Sequence, residues 1–389
     1  MKTNIQPAKR VDGIAVYYLQ KKLADVADLK AAGHDVISLG IGGPDGAAPE
    51  GAVEATVRSI RRSDTHSYQL GTGIPALRQA FARWYKENYD VSLDPERMIL
   101  PLIGSKEGIL HVSLAFLNPG DRVLVPNPGY PTYTSVSRIV GADIMTYDLT
   151  AENGWYPDFE ALEKSDLSGV KLMWINYPHM PTGAPATKQL FERIVDFGRR
   201  HNILIAHDNP YSFILNKEPL SLLSVPGAFD VAIEMNSLSK SHNMAGWRMG
   251  MVAGHADYIG WIRRVKSNID SGQFLPVMEG AVEALNQGSE WYEGLNAVYG
   301  KRRKAAERVM HALGCDFDPN QRGLFLWGKV PEEVVNVEKF CDMVLNKAHV
   351  FITPGFIFGS NGERYIRISL CATEERLSEA AERIHAMHK

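Results

Sequence analysis

The chain has 389 residues, 45% of them hydrophobic and 22% charged, with a formal net charge of −3. Such a composition buries a large core and excludes disorder and fibre, and the length accommodates about two domains at ~150 residues each. The near-neutral balance gives no basic field for nucleic acid or anionic lipid, and the tightest basic cluster, residues 301–304, reads as a solvated helix face.

Residues 1–12 are polar and lack an apolar h-region, and no run of about 18 apolar residues occurs, so neither a signal peptide nor a membrane span is expected. Short segments rich in Val, Ile and Leu then alternate with longer helical patterns, which predicts a largely parallel sheet. Expected strands are 98–103, 122–125, 170–176, 203–207, 231–236 and 249–253, with helices at 106–117, 133–140 and 187–200. From 277 to 313 a long helical pattern, broken near Gly288, leads into a C-terminal stretch of mixed helix and strand character, read as a second, smaller domain. There is no internal repeat or low-complexity tract. Cys315, Cys341 and Cys371 are widely spaced and form no C-x-x-C pair, which indicates neither a disulfide framework nor a zinc site and fits a reducing cytoplasm.

In open parallel sheets the ligand lies at the carboxyl ends of the strands, so the residues after each strand carry the functional signal. After 98–103 comes Gly104-Ser105-Lys106-Glu107-Gly108, whose free backbone N–H groups at a helix start can hold an anion, or serve as simple capping. After 122–125 comes Pro126-Asn127-Pro128-Gly129-Tyr130-Pro131, a rigid loop that either aims Tyr130 at a planar ligand or packs it under a proline turn. The strand 203–207 ends in Asp208-Asn209-Pro210-Tyr211. A carboxylate there is costly unless it meets a cation such as a protonated pyridine nitrogen; capping is the alternative, and no second histidine at ligand spacing supports a metal beside His207. After 231–236, residues 237–250 read S-L-S-K-S-H-N-M-A-G-W-R-M-G, placing Lys240 among Ser237, Ser239 and Arg248. That grouping suits a Schiff base with an anionic aldehyde whose phosphate Arg248 grips bidentately.

These motifs resemble the class I and II aminotransferases of fold type I, which depend on pyridoxal phosphate. The resemblance spans nearly the whole chain: Gly42-Gly43-Pro44-Asp45, Tyr68 before Gly71-Thr72-Gly73, Leu77-Arg78, Gly104 to Gly108, Pro128-Gly129-Tyr130-Pro131, Pro181-Thr182-Gly183, Asp208 with Tyr211, residues 237–250, and Arg367-Ile368-Ser369 occur in order. It implies an α/β fold with a mostly parallel central sheet flanked by helices. It further implies a large domain over residues 48–285 and a smaller α+β domain formed by the two chain ends, 1–47 and 286–389. By the same resemblance Lys240 bonds the cofactor and shuttles the proton between the substrate's α-carbon and the cofactor's C4′ carbon, Asp208 keeps the pyridine nitrogen protonated, and Tyr211 contacts the phenolic oxygen. Tyr130 stacks on the ring, and the phosphate is held by the backbone of Ser105 and Lys106, by Ser237 and Ser239, and by Arg248. Tyr68 reaches the phosphate of a neighbouring subunit, implying a homodimer with shared active sites. Arg367 binds the substrate's α-carboxylate, with Gly42 and Tyr18 closing over it. The expected reaction moves the amino group of an α-amino acid to a 2-oxo acid, 2-oxoglutarate being the expected acceptor, in the cytoplasm and without a metal.

One residue departs from the family pattern. Where the family reads N-P-T-G this chain has Met180-Pro181-Thr182-Gly183, and methionine cannot donate the hydrogen bond that the asparagine gives to the cofactor's phenolic oxygen. His179 is the neighbour able to donate instead, although a loop histidine ordinarily faces solvent. Other readings are weighed against this one. Ser237-Leu238-Ser239-Lys240 also spells S-x-x-K, but the S-D-N and K-T-G of that hydrolase class are absent. A regulator retaining the domain as a cofactor sensor needs a basic DNA-binding module, and none is apparent. A β-lyase or decarboxylase shares the cofactor and the fold and is the alternative activity. The side chain of the substrate is left to residues 14–19, 267–274 and 356–359.

Overall fold

The structure, a computed structural model, describes residues 5–12 and 18–387. A short strand, β1 (Ile37–Ser38), precedes the strands of the large unit: β2 (Ile99–Leu102), β3 (Arg122–Asn127), β4 (Asp143–Asp148), β5 (Val170–Ile175), β6 (Leu204–Asp208), β7 (Ala232–Ser237) and β8 (Gly250–Gly254). The seven strands β2 to β8 form one sheet in the order β2-β8-β7-β6-β5-β3-β4. All neighbours are parallel except β8, which runs antiparallel to β2 and β7.

The inner strands are largely apolar and buried on both faces, their polar residues falling mostly at the strand ends. Leu172 and Trp174 of β5 pack into the core on one face, while Met173 and Ile175 pack into the core on the other. The covering helices start where the sequence supplies a cap. In Lys188–His201 the Thr187 hydroxyl accepts from Leu190 N–H at 3.1 Å, and Asn202 ends the helix in a left-handed conformation. Strand β4 has no counterpart among the expected strands. It lies at the sheet edge with most of its side chains partly or fully exposed, so its sequence lacks the continuous apolar run that marks the others.

After the helices Leu275–Leu285 and Ser289–Ala312, the chain adds β9 (Phe325–Lys329), β10 (Val350–Phe351), β11 (Thr353–Pro354) and β12 (Tyr365–Ser369). The order β11-β12-β9 makes a small antiparallel sheet, and β10 pairs with β1 in parallel, Ile37 opposite Val350, so the two chain ends share one smaller unit with its own core. The basic cluster at 301–304 corrects the sequence expectation of a solvated face. Arg303 is 7% exposed, pairing with Glu307 at 2.9 Å and donating to the Gln321 carbonyl at 2.9 Å. Arg302 forks onto Asp45 at 2.6 and 3.0 Å; only Lys301 and Lys304 face solvent. All three cysteines are free, and among the described residues no helix is long and apolar enough to cross a membrane.

Candidate active site

Because β8 is antiparallel, its first residues lie at the same end of the sheet as the last residues of β2, β5, β6 and β7. Arg248, which precedes β8, therefore meets groups that follow the other strands, around a cleft of about 390 Å³. The cleft is lined by Ser105, Lys106, Tyr130, Asp208, Tyr211, Ser237, Ser239, Lys240, Arg248, Gly42 and Arg367, which brings together eleven of the residues singled out in the sequence.

At one end of the cleft an anion cup forms. Ser105 opens the helix Ser105–Phe116, entered through Gly104 at φ 76°. A Cβ on Gly104 would stand 2.1 Å from Arg248 Nη2, so only glycine lets that guanidinium approach the helix N-terminus. Ser237 Oγ donates to Ser239 Oγ at 2.9 Å and accepts from Ser239 N–H at 3.2 Å, while Arg248 Nη1 reaches Ser239 Oγ at 3.5 Å and the Ala245 carbonyl at 2.7 Å. Arg248 adopts a left-handed backbone, φ 54°, a conformation costing about 1 kcal/mol for a residue with a Cβ.

At the centre Asp208 ends β6. Tyr133 donates to Asp208 Oδ2 at 3.0 Å, while Oδ1 is buried with no hydrogen-bond partner. Burial raises the carboxyl's pKa to about 6, against the lowering effects of the Tyr133 hydrogen bond, the His207 charge and the Ser105 hydroxyl. A buried carboxylate oxygen of this kind fits a cationic ring nitrogen. Tyr133 was not singled out in the sequence. It lies one turn into the helix Pro131–Val140 and is aligned by stacking on Trp174, with ring centroids 5.1 Å apart and 4° between planes.

Lys240 Nζ donates to the Gly42 carbonyl. Burial lowers its pKa; nearby Cys371 opposes this and the charges of Arg367 and Arg248 add to it, and the net lowering favours the neutral amine that a nucleophile needs. Tyr211 stands beside Phe325, ring centroids 6.0 Å apart, and burial raises its phenol's pKa.

At the far end Arg367, 5% exposed, is sandwiched between Phe325 and Phe358, its guanidinium carbon 4.0 and 4.5 Å from the ring centroids. Its Nη2 donates to the Gly40 carbonyl at 2.9 Å and its Nη1 faces Met180 Sδ at 3.2 Å. Gly42 is required by packing, because a Cβ there would fall 2.2 Å from Phe325. Leu19, Ile41, Asn176 and Phe325 also line the cleft, and nothing in the local sequence distinguished them.

Two expectations meet a different geometry. Tyr18 is not on the cleft wall; it lies edge-on to Phe356 with centroids 5.3 Å apart, and its neighbour Leu19 faces the cleft. Tyr68, expected to reach a neighbouring subunit and not this cleft, is 92% exposed and does not line the cleft of its own chain. His179 does not face solvent: it is 3% exposed, with Nδ1 2.8 Å from the Thr182 hydroxyl, and burial lowers its pKa to about 3. It is absent from the cleft lining, so it does not stand in for the donor that Met180 lacks. Of the suggested specificity segments, 14–17 lie outside the described residues.

The groups present fit pyridoxal phosphate: an anion cup, an unpartnered buried carboxylate oxygen, an amine of lowered basicity and tyrosines between them. Residues 34–384 match the family described as aminotransferase class I and II. The LL-diaminopimelate aminotransferase of Aquifex aeolicus is 43% identical over 354 residues, covering 90% of this chain and 91% of that one. The LL-diaminopimelate aminotransferase of Oleidesulfovibrio alaskensis is 41% identical over 364 residues, 93% of this chain and 94% of the relative. Among solved structures, apo-BacF from Bacillus subtilis superposes with a TM-score of 0.95 at 34% identity, covering 100% of this chain and 99% of that chain.

Proposed function

This chain belongs to the class I and II aminotransferases, and from that premise we propose that its amino donor is LL-diaminopimelate, that 2-oxoglutarate accepts the amino group, and that it works as a cytoplasmic homodimer. The protein is a pyridoxal-phosphate-dependent transferase acting on small amino and oxo acids. When bound, the cofactor supplies an aldehyde carbon that condenses with amines and a ring that accepts electron density from the bond broken at the substrate's α-carbon.

The protein's own groups divide the remaining work. Lys240 would be the catalytic base: its Nζ would take the proton from the substrate's α-carbon and deliver it to the cofactor's C4′ carbon, a role favoured by the lowered basicity that burial imposes. Asp208 would hold a proton on the ring nitrogen through Oδ1, while Tyr133 fixes the carboxylate's orientation through Oδ2. Tyr211 would contact the phenolic oxygen and Tyr130 would pack on the ring; both line the cleft. Ser105, Lys106, Ser237, Ser239 and Arg248 hold the phosphate, and Arg367, with Gly42, receives the α-carboxylate. The observation that carries the reading is the convergence of Lys240 Nζ, the orphaned Asp208 Oδ1, Arg248 and Arg367 on one cleft.

The donor rests on relatives 41% and 43% identical that cover 93% and 90% of the chain. The homodimer is supported by Tyr68 at 92% exposure and Leu70 at 77%, with Ile269 and Phe274 also exposed, apolar groups that a second copy would cover. The proposed division into 48–285 and 1–47 with 286–389 is supported by two cores that are mostly separate, although Tyr292 packs in the first and Met180 and Ile214 in the second. The test is spectroscopic. Purified enzyme carrying the cofactor loses its visible absorbance band with LL-diaminopimelate and regains it with 2-oxoglutarate. Loss of the band with other amino acids only would overturn the donor; release of pyruvate or sulfide with the band retained would favour a lyase; absence of any band would overturn the cofactor.

A further inference from the structure

Glu107 and Lys266 take no part in the site described above, yet they form a buried charge cluster against the phosphate cup. Glu107 lies in the first turn of the helix Ser105–Phe116. Its Oε2 accepts from Ile103 N–H at 2.5 Å, which fixes the backbone leading into Gly104 and Ser105. Its Oε1 lies 2.6 Å from His111 Nε2 and accepts from Lys266 Nζ at 3.2 Å. Lys266 is 1% exposed, and its Nζ also donates to Asp270 Oδ2 at 2.5 Å. Asp270 Oδ1 in turn accepts from Gly272 N–H at 2.9 Å, and Gln273 Nε2 donates to the Arg248 carbonyl at 2.9 Å. The loop 267–274 is thereby stitched to both sides of the cup.

The arrangement poses an electrostatic problem. A carboxylate in a first helical turn is ordinarily stabilised by the helix dipole, but here the same N-terminus has to receive a dianionic phosphate. Left alone, Glu107 would repel that phosphate across a poorly screened site. Burial acts to raise the carboxyl's pKa, but the His111 hydrogen bond, the Lys266 charge and the Ile103 N–H prevail and hold it at about 2. Glu107 is therefore ionised, and its charge has to be cancelled from behind. Ligand atoms of Glu107, His111 and Asp270 all lie within 4.8 Å of one another, and the ammonium of Lys266 bonds both carboxylates, so the cation of this cluster is the lysine itself.

We propose that Lys266 is a positioning residue for the cofactor's phosphate: it holds Glu107 against the Ile103 N–H and cancels the charge that Glu107 would otherwise present to the dianion. The proposal rests on the pyridoxal-phosphate reading, and its particular consequence is selectivity for the phosphorylated form. Removing the ammonium weakens binding of a ligand that carries the phosphate and leaves a ligand without it nearly unaffected.

The experiment titrates cofactor-free protein with pyridoxal 5′-phosphate and, separately, with pyridoxal, following visible absorbance. Lys266→Met is expected to lose about tenfold or more in affinity for the phosphorylated form while pyridoxal affinity stays within about twofold, which also shows that the variant is folded. Lys266→Arg retains the charge and is expected to stay within about threefold of wild type for both ligands. The double variant Glu107→Gln with Lys266→Met, which removes both charges, is expected to recover most of the lost affinity. Undiminished phosphate-form affinity in Lys266→Met, an equal loss for both ligands, or a further loss in the double variant would each overturn the proposal. Failure of the wild-type protein to bind either ligand would instead overturn the cofactor reading.

Discussion

At the phosphate end of the cleft the binding groups come from two short stretches, Gly104 to Gly108 and residues 237–250, each spelled out contiguously and each following a strand. At the carboxylate end they come from five places: Gly40 and Gly42, Met180, Phe325, Phe358 and Arg367. The first end is a local solution, in which strand ends and a helix N-terminus present backbone N–H groups and hydroxyls to an anion wherever this kind of sheet forms. The second is a tertiary one, since Arg367 and Gly40 meet only because β11 and β12 of the small sheet fold back beside the segment that follows β1. An anion-binding cup can therefore be shared by a whole family, while the substrate end depends on how two units of the chain are set against each other.

The sharpest test of that division is Arg367→Met. The guanidinium lies between two phenyl rings, and methionine keeps much of the apolar contact while removing the charge. A loss of about a hundredfold or more in kcat/KM is expected, with the affinity for pyridoxal phosphate unchanged, measured by steady-state kinetics beside a cofactor titration. A comparable fall in cofactor affinity would break the separation of the two ends.

The centre of the cleft gives the next effect. In the cofactor-free protein the Asp208 carboxyl has its pKa raised to about 6, so the folded state holds this proton more tightly than the unfolded chain. Its contribution is accordingly most favourable below pH ~4 and is lost as pH rises through 6, a difference of about 2–3 kcal/mol. Asp208→Asn removes that dependence. The variant is expected to gain stability relative to wild type between pH 4.5 and pH 8, read as the difference in urea midpoints of the cofactor-free proteins, and the gain should vanish once cofactor supplies a cation to the wild-type carboxylate. A constant difference across pH would show that Asp208 is already paired.

The smallest expected effect lies where the two ends touch. Met180 puts a thioether against Arg367 and cannot donate to the phenolic oxygen, and buried His179 does not replace it. Met180→Asn is expected to lower, by about half a pH unit, the midpoint at which the visible band of the cofactor-loaded enzyme titrates, because the added donor stabilises the deprotonated oxygen. Identical titration curves would leave Tyr211 as sufficient for that task.

Much of the large unit was legible because its inner strands are buried on both faces and so are largely apolar; β4 was missed because an edge strand need not be. The strand-end rule picked out Lys240, Asp208 and Arg248 for the same reason, and Arg248, which precedes its strand, belongs there because β8 runs backwards. Tyr133 carried no signal, since a tyrosine one turn into a helix looks like any core aromatic until Trp174 and Asp208 are set around it. Tyr18 and His179 were misjudged because whether a side chain faces a cleft or a core depends on what packs against its other side.

The order of strands and helices, the anion cup and the lysine were determined by the sequence itself, through apolar periodicity and short-range hydrogen bonding. The sandwich around Arg367, the orphaned oxygen of Asp208 and the Glu107–Lys266 cluster were decided only by tertiary structure. Charges and rings tens or hundreds of residues apart acquire their energies from distance and burial, and neither quantity exists along an unfolded chain.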